Sequence, residues 1–155
     1  MRGNWGLMIV LLTLVTVNGN AAEPDAEPLN EATEQYSRER KRLISDNLQL
    51  TAPEAQRFWP LYEQFEKDLL VLTDKIRAGI AELAENYESM TDAMAKKITI
   101  DRLKIDEERD RLRRAYLPKF EKVLPAKKLA RYYQIESKIR AAVECGIAQE
   151  LPLIK

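Results

Sequence analysis

The sequence predicts an all-α protein: four helices built on a long, bent antiparallel hairpin, dimeric, and preceded by a signal peptide. Three observations predict it. From Ala52 to Glu88, apolar residues recur at Phe58, Tyr62, Phe65, Leu69, Leu72, Ile76, Ile80, Leu83 and Tyr87, in steps of four and three that keep one helical face apolar. Glycine is nearly absent between residues 21 and 145, Gly79 being the exception. No run alternates β-branched residues between turn signals, as a strand would require.

The elements follow in chain order. Arg2 gives a short positive start, and Leu7 to Val17 form an apolar run of eleven residues. As a helix that run spans about 16 Å, too short for a bilayer core of about 30 Å. Small residues at Gly19-Asn20-Ala21, with Ala22 as an alternative end, complete a cleavable secretory signal peptide over residues 1–21. No Cys lies near the cleavage site, so a lipid anchor is not expected. After cleavage no integral membrane segment is expected, and the location is expected to be periplasmic. Residues 22–30 (AEPDAEPLN) are acidic and Pro-rich without an apolar period. They read as a flexible linker to one helical domain, 31–155, whose size suits a single domain.

Within that domain the first helix is expected to take Asn30 as N-cap, with Glu31 and Glu34 near its positive end, and to stop near Leu48. The second is expected from Ala52 to about Glu88, and the third from Asp92 to Val123 with Thr91 or Ser89 as cap. The fourth is expected to start at Pro125 and fade near Cys145-Gly146. The apolar tail, Leu151 to Ile154, is expected to dock back on the bundle.

The second helix opens on a specific motif, Leu50-Thr51-Ala52-Pro53-Glu54. Thr51 and Glu54 have the spacing of a capping box, in which each side chain satisfies the other residue's backbone N–H. Pro53 sits in the first turn, where no helical acceptor is lost, and Leu50 is placed for a hydrophobic staple. Pro60 then falls inside the helix, where it removes a bond to the carbonyl of Gln56 at a cost of about 3 kcal/mol. In an antiparallel hairpin turning at Ser89, Pro60 faces Pro118. The same register sets Phe58 against Phe120, Tyr62 against Tyr116, Ile80 against Ile98 and Leu83 against Ala95. Asp74 is then expected near Lys104, and Arg77 near Asp101. Paired prolines let both helices bend together.

Charge and composition narrow the function. The 25 basic and 25 acidic residues balance, but Glu23 to Asp92 holds 16 acids against 8 bases, and the chain from Ala93 onward 9 against 16. The halves are expected to attract each other, and no nucleic-acid partner is expected. The chain has no His, the usual general base and commonest metal ligand, and no Gly-rich phosphate loop. No enzyme activity, catalytic residue, cofactor or metal is therefore expected. Cys145 is alone and cannot form an internal disulfide. Long helices leave too much surface for a self-sufficient core, so a two-fold partner is expected. The segment KIDEERDRLRR (104–114) reads as surface laced with i,i+4 pairs. Along it Arg102, Arg109 and Arg113 form a candidate basic stripe for a client or partner.

A weak internal repeat adds a family resemblance. LTAPEAQRF (50–58) and LPAKKLARY (124–132) share Leu, Ala, Arg and an aromatic at matching offsets. Two Leu-Thr-x-x-Gln-like motifs at helix starts, in an exported helical chain, resemble the Spy/CpxP family of periplasmic stress chaperones and adaptors. Glu54 stands where the first motif has Gln; Pro125 and Lys128 stand where the second has Thr and Gln. The FWPLY and LPAKKLARYYQIE segments are similar to a branch of small exported proteobacterial proteins with no assigned role. The resemblance, over roughly residues 45–140, implies a curved four-helix dimer whose concave face holds unfolded clients or a sensor domain without ATP. The competing expectation is a structural or regulatory helical module that docks on one defined envelope partner and has no chaperone activity.

Overall fold

The computed structural model describes residues 26–154, with side chains from Glu31 onward, Ala32 excepted. The expected leader, 1–21, and residues 22–25 of the linker lie outside them. The described residues form four α-helices: α1 (Ala26–Leu48), α2 (Ala52–Glu85), α3 (Asp92–Glu121) and α4 (Ala126–Glu150). A short 3-10 turn, Tyr87–Ser89, lies between α2 and α3. The described residues contain no strand.

Several boundaries differ from expectation. Helix α1 starts at Ala26 rather than after Asn30, because Pro28 falls in the first turn, where a missing N–H costs nothing. Helix α2 stops at Glu85, short of Glu88, with the Asn86 side-chain amide donating to the Glu82 carbonyl at 2.8 Å. Helix α3 starts at Asp92 as expected, and the Thr91 hydroxyl accepts from the Met94 amide at 3.3 Å. Helix α4 continues past Gly146 to Glu150, since one interior Gly costs only about 1 kcal/mol. Pro152 follows that end, and the tail does not dock: Leu153 is 90% exposed.

Contacts divide the chain into two compact units. The first joins the described residues up to Gln49 with Ala130–Leu153. Its buried residues are Arg40, Ile44 and Leu48 of α1, at successive i+4 positions, and Tyr132 and Ile139 of α4. Arg40, which is buried, donates to the half-buried Glu136, their side chains being 3% and 10% exposed. Helix α1 ends where Gln49 takes a φ of 51°, a left-handed conformation usual for Gly just past a helix end.

The second unit, Leu50–Leu129 with Ile154, is built on the antiparallel pair α2 and α3. Leu72, Ile76 and Ile105 form its apolar middle, with Ile80 and Leu112 against them. Aromatic rings fill one end. Phe58 lies 5.6 Å from Phe120, and Phe65 lies 5.1 Å from Tyr116, between ring centroids. Such ring pairs add about 0.5–1.5 kcal/mol each beyond their buried area. Lys97 bridges to Glu82 at 2.9 Å and Lys75 to Glu108 at 2.6 Å.

The expected register holds at Phe58 and Phe120. Arg77 binds Asp74 at 2.9 Å and Lys104 binds Asp101 at 3.5 Å, each within its own helix. Neighbours three apart on one helix lie within about 5–6 Å, close enough for both pairs. Tyr116 packs on Phe65 and donates its hydroxyl to Asp68 at 2.6 Å, and Tyr62 stacks on Phe58 at 5.8 Å.

Candidate functional site

The capping-motif, proline and arginine candidates all fall in the second unit. At the start of α2 the capping box is formed, and the Thr51 amide donates to Glu54 Oε2 at 2.7 Å. Leu50 is half-buried. Glu54 has a second role that was not expected: Lys128, in the first turn of α4, donates to the same Oε2 at 2.5 Å. Lys128 and then the Thr51 amide hold the Glu54 carboxyl down at about 2, from an ordinary 4.5.

This contact joins the two halves of the repeat. Glu54 and Lys128 occupy matching offsets in LTAPE and LPAKK, the positions where each departs from Gln. A cation in the first turn of a helix is opposed by the helix dipole, and the Glu54 carboxylate offsets that. Leu124, the first residue of the second copy, is buried at 4% exposure. The signal was present in the sequence as opposite charges at equivalent offsets. Only the fold shows that they meet.

Pro60 and Pro118 each lie inside a helix that continues through them. Both are exposed, as are Gln56 and Arg114 four residues earlier. The carbonyl each proline leaves without a helical donor thus belongs to a solvent-facing residue, where water can take its place. The rings beside this level are well ordered by contact: Trp59 sits edge-on to Phe58 at 5.1 Å and to Tyr62 at 5.6 Å. Burial, and then the bond to Asp68, push the Tyr116 hydroxyl up to about 12, so it stays protonated as a donor. Lys119 lies over the Tyr116 ring, 4.1 Å from its centre.

The three arginines differ from a free basic stripe. Arg102 and Arg109 both bind Asp106, at 3.2 and 3.5 Å, and Arg113 binds Asp110 at 3.6 Å. Their side chains are 39%, 12% and 25% exposed, respectively. Arg109 is therefore mostly covered, because its apolar stem lies on the side of α3 that carries Ile105 and Leu112, one turn away in each direction. What reaches solvent is an ordered array of both signs.

Arg40 and Glu136, in the first unit, were not anticipated as a pair. Arg40 falls on the row Tyr36, Arg40, Ile44, Leu48, so a charge on an apolar row was the available signal. Among the described residues no group of three or more Asp, Glu or Cys is placed to hold a metal ion. No described helix is long and apolar enough to cross a membrane. In comparisons with protein-family models, curated proteins and solved structures, nothing matched this chain.

Proposed function

We propose that this chain is an exported, non-enzymatic binding protein of the periplasm that holds unfolded or partner proteins on the outer surface of its α2–α3 hairpin. In this reading it acts without ATP or any cofactor, as a chaperone or envelope-stress adaptor, and it works as a homodimer. Its leader is removed on export, and Pro60 and Pro118 bend the two helices together so that the surface is curved.

The observation that carries this reading is the apolar surface left on the hairpin. Val71 and Leu117 are 58% and 38% exposed, among charged neighbours. Separate aliphatic side chains within a charged face suit weak, reversible contact with exposed apolar segments, and the charges keep the surface soluble between encounters. The two Leu-Thr-type motifs support the same reading through their resemblance to the stress chaperones.

A second reading is favoured by the ordered charges of α3. Arg102, Arg109 and Arg113, held by Asp106 and Asp110, present a fixed pattern suited to one defined envelope partner. Light scattering of several unrelated proteins during unfolding separates the two. Suppression of aggregation for most of them, weakened in Val71→Ser/Leu117→Ser, supports the chaperone. Tight capture of a single envelope protein with no suppression supports the dedicated module. Neither behaviour, in protein that is folded by circular dichroism, would sink both.

A further inference from the structure

On α3, the side away from the buried Ile105, Tyr116 and Phe120 carries Asp92, Lys96, Ile100, Leu103, Glu107 and Arg111, and all six are exposed. Steps of four and three place them on one helical stripe. Most charges of α3 are engaged inside the hairpin, as Lys97 is by Glu82 and Arg102 by Asp106. The side chains of Asp92, Lys96 and Glu107 form no ion pair or hydrogen bond among the described residues, and Arg111 acts only through its charge on Glu108.

The order of these six is its own complement when reversed. Laid antiparallel on a second copy, about a two-fold axis at the level of Asp101 and Arg102, Ile100 meets the partner's Leu103. In the same register Lys96 meets the partner's Glu107, and Asp92 meets the partner's Arg111. Symmetry makes each contact twice. An apolar centre is thus flanked on both sides by opposite charges, and no like charges face each other along the stripe.

We infer that this stripe is the face through which two copies of the chain pair, by antiparallel packing of their α3 helices. This rests on the homodimer in the reading above and names its surface and register. The stripe is about 28 Å long at 1.5 Å per residue, and it has two aliphatic side chains per copy. It is smaller than a standard stable interface, so the pairing is weak, and exposed charge pairs make it salt-sensitive.

Sedimentation of the processed protein at low salt tests it, over a wide concentration range. Lys96→Glu and Glu107→Lys should each weaken the dimer about tenfold, since each sets two pairs of like charges in contact. The double variant Lys96→Glu/Glu107→Lys should return to within about threefold of wild type, because the pairs are restored with reversed sign. Leu103→Ser should give a monomer with unchanged helicity. A wild-type protein that stays monomeric at every concentration overturns both the face and the homodimer. A dimer that tolerates Leu103→Ser and both reversals overturns the face alone and leaves the homodimer standing. A double variant as weak as the singles overturns the register, and loss of client protection with an intact dimer in Leu103→Ser assigns the stripe to clients instead.

Discussion

Glu54 accepts from both the Thr51 amide and Lys128, and these contacts hold its carboxyl at about 2 against an ordinary 4.5. A carboxyl whose value is lower in the folded state contributes stability that is complete above the unfolded value. That contribution should fade as pH falls from about 4.5 through about 2. Glu54→Gln keeps an acceptor for the amide but removes the charge facing Lys128. Urea unfolding should show the variant less stable at pH 6, with the gap closing toward pH 2; a gap independent of pH would remove the charge from this account. Gln49 offers a test of the opposite sign. At a φ of 51° a residue with a Cβ is strained by about 1–2 kcal/mol, and Gly loses part of that advantage to chain entropy. Gln49→Gly should therefore raise stability by up to about 1 kcal/mol in the same measurement.

At the scale of elements, the long helices were legible because their apolar period is almost unbroken, and the structure places α2 and α3 within a few residues of the expected ends. Pro60 lies inside α2 with its face to solvent. Pro60→Ala should restore a bond to the Gln56 carbonyl and raise stability by up to about 3 kcal/mol without loss of fold. Unfolding of that variant would mean that the ring of Pro60 holds local packing. In the first unit, Arg40 and Glu136 form a buried ion pair. Breaking such a pair leaves an uncompensated charge at a cost of about 3–5 kcal/mol, while replacing both members with apolar groups is close to neutral. Arg40→Met should accordingly be strongly destabilised in chemical denaturation, and Arg40→Met/Glu136→Leu should recover most of the loss. Equal losses in the single and double variants would contradict this.

For the whole molecule, the imbalance between an acidic first half and a basic second half is only partly used for attraction. Glu54 with Lys128 and Glu82 with Lys97 join an acid of the first half to a base of the second. Lys75 with Glu108 and Arg40 with Glu136 run the other way. Many remaining pairs lie three or four residues apart on one helix, as in Arg42 with Asp46 and Arg77 with Asp74. Such exposed pairs contribute about 0.3–0.5 kcal/mol each and are screened by salt. Raising salt from 0.1 to 1 M should therefore change the unfolding free energy by less than about 1 kcal/mol. A larger loss would show that attraction between the halves holds the fold.

Legible in the sequence were the helical class, the pairing of α2 with α3, the cap at Thr51, and the absence of a disulfide within the chain, whereas the choice of Thr91 over Ser89 as cap of α3 came from the structure. Each of the legible features depends on neighbours within a turn or two, or on an apolar period that repeats over many turns. The start of α1, the continuation of α4 through Gly146, and the exposed tail were not legible, because a Pro in a first turn or a single Gly permits either outcome. Side-chain partners were decided only by the tertiary structure. Arg77 met Asp74, Arg109 was covered rather than solvated, and Glu54 met Lys128 from 74 positions away. A long side chain can reach several partners of the right charge, and the free-energy differences among them are small. Which one it takes depends on where the backbones place the alternatives.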